Sequence, residues 1–321
     1  MSLVNQHADK PLVVLKIDVD TYRGTREGVP NLVKLLQQHQ AGATFLFSLG
    51  PDHTGWAMKR VFRKGFFSKV SRTSVVEHYG IKTLLYGTLL PGPDIGARCQ
   101  SELRAVQLAG FECGIHTWDH VLWHDSVRHA DAAWTKKQMQ QSAQRFAQIF
   151  GHPPATHGAA GWQMNAHAFA QLDEMSIAHA SDGRAALDER GAMCSPEAQP
   201  YHLPGSRCIQ MPTTLPTLDE LLGREIDGHM LTPANVASHI LKLTTENRRH
   251  HVYTLHAELE GQKLAPVLAQ LIQGWQQQGY RCGSMADYAQ LLDVCQLPEQ
   301  AIHWGELPGR SGDLIMLKSH P

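Results

Sequence analysis

Asp18 and Asp20 stand one residue apart, directly after the apolar run LVVLKI at 12–17. In an extended strand alternate side chains share a face, so both carboxylates can point the same way. Close carboxylates repel, and a site that keeps both ionised has a cation nearby. A strand running into an Asp-rich turn is the plainer reading of the same residues. A second group follows in the string GIHTWDH, which holds His116 and His120. Two histidines four apart lie on one face of a helical turn and can share an ion. With 20 histidines in the chain, that spacing also arises by chance. Placement separates the two readings: the pair follows an apolar strand, as Asp20 does, so all three side chains can meet at one rim. One carboxylate and two imidazoles leave coordination positions open, as a catalytic ion requires. These donors suit zinc, manganese, cobalt or iron without choosing among them.

The elements that position these groups alternate in type. Strands are expected near 12–17, 43–49, 111–115, 155–160, 177–181, 251–256 and 280–282. Helices are expected near 26–40, 95–109, 130–150, 166–175, 233–247, 264–278 and 285–294, with an irregular Pro-rich stretch at 196–216. Repeated β–α units predict an α/β fold with a parallel sheet covered by helices, and six or seven units favour a barrel. Chemistry in such folds sits at the C-terminal ends of the strands. Asp18, Asp20, His116, His157, Asp182 and His256 all fall at expected strand ends. The expectation is one domain over 1–321, with a core at about 12–295 and an insertion at about 50–94.

Composition narrows the function. Lys+Arg 29 against Asp+Glu 30 gives a formal net charge of -1, which removes the basic field of a non-specific nucleic-acid binder. A charged fraction of 18% without long like-charge runs argues against disorder. The six cysteines include no C-x-x-C pair, so reduced thiols in a cytosolic setting are expected. The polar start at 1–10 has no apolar region of a signal peptide, and no stretch has the apolar length of a spanning helix.

Asp-x-Asp after the first strand, then His-Thr-x-x-His, then Leu255-His256 at a late strand end resembles the polysaccharide deacetylase family, over about 12–290. The resemblance implies a distorted (β/α) barrel and a divalent metal on Asp20, His116 and His120. It also implies Asp18 as general base and His256 as general acid. Two departures stand out. The family's third motif carries an Arg and a Tyr, whereas the matching stretch here, HGAAGWQMN at 157–165, keeps only the Gly and the Asn. His157 is then a candidate to replace the Arg that holds the base. The fourth motif is reduced to Ser181-Asp182-Gly183. The strings KIDVDTYRGT, GIHTWDH, HGAAGWQMN, ASDGR and YTLHAELEG resemble one branch of the family, which deformylates formamido-arabinose carried on undecaprenyl phosphate. Removal of an N-formyl group in aminoarabinose modification of lipid A, and so in polymyxin resistance, is what that branch implies. Tyr22, Arg23, His157, Asn165, Asp182 and Glu258 are the candidate substrate contacts, Arg23 because its fork matches phosphate oxygens. Asp182 is expected in the wall of the site. Glu260 reads as a solvated loop charge.

Between the second strand and the helix at 95 lies a long connection whose centre, WAMKRVFRKGFFSKV at 56–70, carries five basic residues and no acid. Wound as a helix it has an apolar and a basic face, which suits an anionic membrane surface. Packing over the barrel is the alternative. The apolar run TLLYGTLL at 83–90 could line an acyl-chain groove. The leading expectation is therefore a metal-dependent amidohydrolase, peripheral on the inner face of a bacterial inner membrane, with no nucleic-acid partner. The rivals are a deacetylase of another N-acetylated sugar, a lipid-carrier binding protein without catalysis, and a metal phosphoesterase, for which His124-Asp125 is the one obvious extra pair.

Overall fold

The computed structural model describes residues 10–57, 82–195 and 198–318. Its first strand, β1 (Leu12–Val19), is buried at every position, one face under helices and the other toward the inside of a curled sheet. β2 (Thr44–Ser48), β3 (Glu112–Thr117), β4 (Thr156–His157), β5 (His179–Ala180), β6 (Tyr201–His202) and β7 (Ile209–Gln210) follow. The small ribbon β8 (Glu225–Ile226) and β9 (His229–Met230) stands apart from the main sheet. β10 (His251–His256) and β11 (Arg281–Gly283) complete that sheet, and β12 (Ile302–Gly305) and β13 (Leu314–Leu317) form an antiparallel hairpin.

The main sheet runs β10-β1-β2-β3-β4-β5-β7-β6, with β11 also on β1, and every pair but β6–β7 is parallel. It curls far enough that the segment after β7 reaches β10: the Thr214 N–H donates to Val252 O at 3.0 Å, and the Thr213 and Thr254 hydroxyls meet at 2.8 Å. Irregular backbone, not a regular ladder, closes the circle. The barrel is distorted there.

Helices cover the outside for local reasons. Val29–Gln38 begins with Pro30 in its first turn and buries Val29, Leu32 and Leu36. Ala132–Phe150 is capped by Asp131, whose side chain accepts from Trp134 N, and ends at Gly151 with φ 80. The stretch expected as one helix at 95–109 breaks at Cys99 into Ile95–Arg98 and Gln100–Leu108. The expected 285–294 helix ends at Ala289. The Pro-rich stretch yields β6 and β7. Residues beyond 295 also pack on the core: the Arg184 N–H donates to Ile315 O at 2.9 Å, and Leu314 to Leu317 are buried. The six cysteines are unpaired.

Candidate active site

Strand register sets the first pair. β1 and β10 are parallel neighbours in which Asp18 and His256 are direct partners, so carboxylate and imidazole leave the sheet side by side. Period-two alternation then puts Lys16, Asp18 and Asp20 on one face of the β1 segment. The curl of the sheet brings the end of β3 to the same place. His116 Nε2 lies 3.2 Å from Asp20 Oδ1, and His120 Nε2 lies 3.6 Å from Asp20 Oδ2.

The two histidines do not share a helical turn. His116 belongs to β3, whereas His120 opens the helix His120–Ser126. Asp119 divides them, because its side chain caps that helix by accepting from Leu122 N at 3.0 Å. The rings nevertheless stack at 5.4 Å between centroids. His116 Nδ1 is 2.6 Å from Gly158 O, so that nitrogen donates to the carbonyl and Nε2 is left as the atom that could meet an ion.

Asp20, His116 and His120 bring one ligand atom each within 4.8 Å of one another. Asp20 Oδ1 is buried and, among the described residues, accepts no hydrogen bond. A buried acceptor without a donor facing two imidazoles fits a divalent ion. Burial alone would raise the Asp20 carboxyl, but His120 and His116 draw it well below the usual range. Burial lowers His120 against the pull of Asp20, the direction that favours the neutral ring an ion would need.

The loop that carries Asp20 is fixed from below. Glu258 Oε1 accepts from Asp20 N at 3.1 Å, Thr21 N at 2.8 Å and the Thr21 hydroxyl at 2.8 Å. Burial, with Asp20 close by, raises the Glu258 carboxyl to about 8. The chain then makes a π-type turn, Gly24–Gly28, of the kind found at functional sites. A Cβ on Gly28 would come within 2.1 Å of Ala257 O, and one on Gly24 within 1.9 Å of Glu258 Oε1. Only glycine lets the turn approach that closely.

His256 has its own supports. Its Nδ1 is 3.9 Å from Asp219 Oδ1, and its backbone N–H donates to Glu260 Oε2 at 2.9 Å. Burial lowers the imidazole, but Asp219, Asp20, Glu260 and Asp18 outweigh it and raise His256 to about 9. Glu260 is itself buried and raised to about 7, so it is no solvated loop charge. A cavity of about 210 Å³ opens over Asp18, Asp20, His120 and His256, with Trp162, Asp219 and Arg310 in its wall. Gly161 and Trp162 both take positive φ, 59 and 54, and this turn lays the indole beneath Lys16, Arg184 and Arg310.

Several expected contacts lie elsewhere. Asn165 caps the helix Ala166–Glu174 through Ala168 N, and its amide donates to Val127 O and Ala130 O, a structural corner that does not line this cavity. Asp182 stands behind the site wall, fully buried, accepting from Ala159 N and Gln210 and paired with His157 Nδ1 at 2.6 Å. His157 is thereby tied to Asp182 and does not hold Asp18. Glu258 faces backbone and not the cavity. Tyr22 and Arg23 do not line that cavity; Arg23 pairs with Glu27 and the Tyr22 hydroxyl accepts from Arg26. His124 lines the cavity and faces Asp125 at 3.6 Å. Of the basic segment at 56–70 only Trp56 and Ala57 fall within the described residues, and Ala57 lines the cavity. In the 83–90 run Thr83–Leu85 forms a short 3-10 turn and Leu89 is exposed.

Missed by sequence reasoning were Lys16, Asp219, Trp162 and Arg310. A lysine inside an otherwise apolar strand was the available signal for Lys16; Asp219 and Arg310 come from far along the chain with no motif around them.

A curled β/α sheet with an Asp-His-His cluster at its strand ends, flanked by a carboxylate and an imidazole, defines an amidohydrolase of the carbohydrate deacetylase class. The family model for polysaccharide deacetylase matches residues 5–178. The chain belongs to the polysaccharide deacetylase family. It is 34% identical over 261 residues, 81% of this chain and 80% of the relative, to a probable 4-deoxy-4-formamido-L-arabinose-phosphoundecaprenol deformylase of Shewanella sediminis. A protein of the same description from Wigglesworthia glossinidia brevipalpis is 28% identical over 90% of this chain and 96% of its own length. Among solved structures, a protein assigned as a polysaccharide deacetylase from Mycobacterium smegmatis superposes with a TM-score of 0.62 at 16% identity, covering 96% of this chain and 98% of its own. A probable polysaccharide deacetylase from Pseudomonas aeruginosa PAO1 gives 0.56 at 14% identity, over 89% and 94%. These two share the fold.

Proposed function

We propose that the chain removes the N-formyl group from undecaprenyl-phosphate-linked 4-formamido-4-deoxy-L-arabinose, a step in aminoarabinose modification of lipid A and polymyxin resistance. The relatives described as deformylases support the substrate. The observation that carries the chemistry is the register of Asp18 against His256 beside the Asp20, His116, His120 cluster.

Those three residues would hold a divalent ion, which when bound polarises an amide carbonyl and lowers the pKa of water. Asp18, through Oδ1, takes a proton from the water as its oxygen bonds to the formyl carbon. His256 gives a proton to the nitrogen as the carbon–nitrogen bond breaks, so the leaving group departs as an amine and formate remains. Asp219 and Glu260 hold His256 in place for that transfer. Ala57, which lines the cavity, belongs to the basic segment at 56–70, whose charges suit an anionic leaflet on the cytoplasmic side. No helix of the described residues is long and apolar enough to cross a membrane, and the reading is of peripheral attachment.

Mass spectrometry of undecaprenyl-phosphate sugars after incubation with ion-loaded protein tests the proposal. Loss of a formyl group from the arabinose is expected. Turnover of N-acetylated oligosaccharides instead, with the formamido sugar untouched, would move the chain to another substrate of the same chemistry. A pocket distinguishes one methyl by only about 1–3 kcal/mol, so both substrates belong in the assay.

A further inference from the structure

We infer that Lys16 is the residue that positions Asp18, and that it fixes which carboxylate oxygen receives the proton; the inference rests on the reading of Asp18 as base. Lys16 occupies the fifth position of β1, flanked in register by Thr44 of β2 and Thr254 of β10. It is fully buried in a strand whose neighbours Leu12, Val13, Val14, Leu15 and Ile17 are all apolar and equally buried. An ammonium in such a slot gives up its hydration, at a cost that only a partner in place of the water offsets. The partner is Asp18 Oδ2, 2.7 Å from Nζ, and among the described residues it is the sole hydrogen-bond acceptor for this ammonium.

The remainder of the site leaves this task to Lys16. His157 is turned to Asp182, and Arg184 and Arg310 both pair with Glu220. His116 approaches Asp18 only to 3.8 Å, and its Nδ1 is already given to Gly158 O. The ammonium is also confined mechanically. It lies 5.1 Å from the centre of the Trp162 ring, and a Cβ on Gly158 would stand 2.8 Å from Lys16 Cε. A lysine confined by Trp162 and Gly158 presents one direction to Asp18. Because Lys16 holds Oδ2, the other oxygen, Oδ1, is left buried without a hydrogen bond beside the cavity. That is the oxygen available to a water.

The test is a double-substitution cycle on the full chain loaded with cobalt(II), using the formamido-sugar lipid as substrate. Lys16→Gln is expected to lower kcat by about 10–100-fold, the range seen when an outer partner of a site residue is removed, with KM within about twofold and the cobalt absorption spectrum unchanged. In an Asp18→Asn background the same substitution should produce no further loss, because Lys16 acts through Asp18. Wild-type kcat in Lys16→Gln, while Asp18→Asn retains only residual turnover, overturns the positioning role and leaves the base standing. Equal losses from Lys16→Gln in both backgrounds overturn it as well. Full activity in Asp18→Asn instead removes the reading on which the inference rests. Lys16→Arg keeps the charge and covers a folding failure of the glutamine variant. It should retain a kcat well above that of Asp18→Asn, and a kcat as low as Asp18→Asn with an intact cobalt spectrum overturns the inference.

Discussion

His256 faces Asp219 across 3.9 Å, from the tip of β10 to the second residue of the short helix Leu218–Leu221. The helix is fixed by Thr217, whose backbone N–H donates to Glu220, and Glu220 in turn is locked to the buried Arg184. Asp219 is therefore a placed anion. Burial would raise its carboxyl, yet His256 and Arg310 hold it below the ordinary value.

The pH dependence follows from this pair. His256 is raised to about 9, so it is cationic below that pH and neutral above it. A general acid must hold its proton, so activity is retained through neutral pH and falls as the pH rises through the His256 value, which an ion held on Asp20 would lower. Asp219→Asn removes the largest of the anions that raise it, and the basic limb should move to lower pH by about one pH unit or more. A pH–rate profile of the two proteins decides; coincident basic limbs would separate Asp219 from the proton transfer.

Glu258 predicts a change in ion affinity without a change in the ligands. Its Oε1 receives three hydrogen bonds from the Asp20–Thr21 loop. Glu258→Ala should weaken zinc binding by about 10–100-fold, as loss of an outer support does. Competition with a chelating dye measures it, and unchanged affinity would make Glu258 a packing residue only.

Asn165 provides the opposite case. Asn165→Ala removes a helix cap and should lower stability by about 0.5–2 kcal/mol in urea unfolding. The kcat and KM of the folded protein should stay at wild-type values. A raised KM with unaltered stability would restore Asn165 to the substrate.

Much of this site was legible because its residues lie at the ends of apolar runs. LVVLKI announces β1 and so places Asp18 and Asp20; YTLH does the same for His256. His116 and His120 were found by spacing, but their shared helical turn was not real, since the Asp119 cap that starts the helix is a local choice the four-residue spacing does not reveal. The resemblance to the family spanned about 12–290, and its motifs were silent where the chain departs from them. Lys16 was passed over because a charge in an apolar run reads as an interruption. Its period-two relation to Asp18 and Asp20 was the signal. Asp219 and Arg310 were illegible for another reason: they reach the cavity through tertiary packing of a four-residue helix and of the loop before β13, and neither carries a sequence period. The two-residue strands β4 to β7 are likewise too short for one, and the barrel closes there by irregular backbone.

The central claim is one divalent ion on Asp20, His116 and His120, and elemental analysis of protein dialysed against zinc tests it most directly. The account predicts about one ion per wild-type chain and nearly none, with no turnover, in each of Asp20→Ala, His116→Ala and His120→Ala. Three variants that still hold zinc at the wild-type ratio would contradict it.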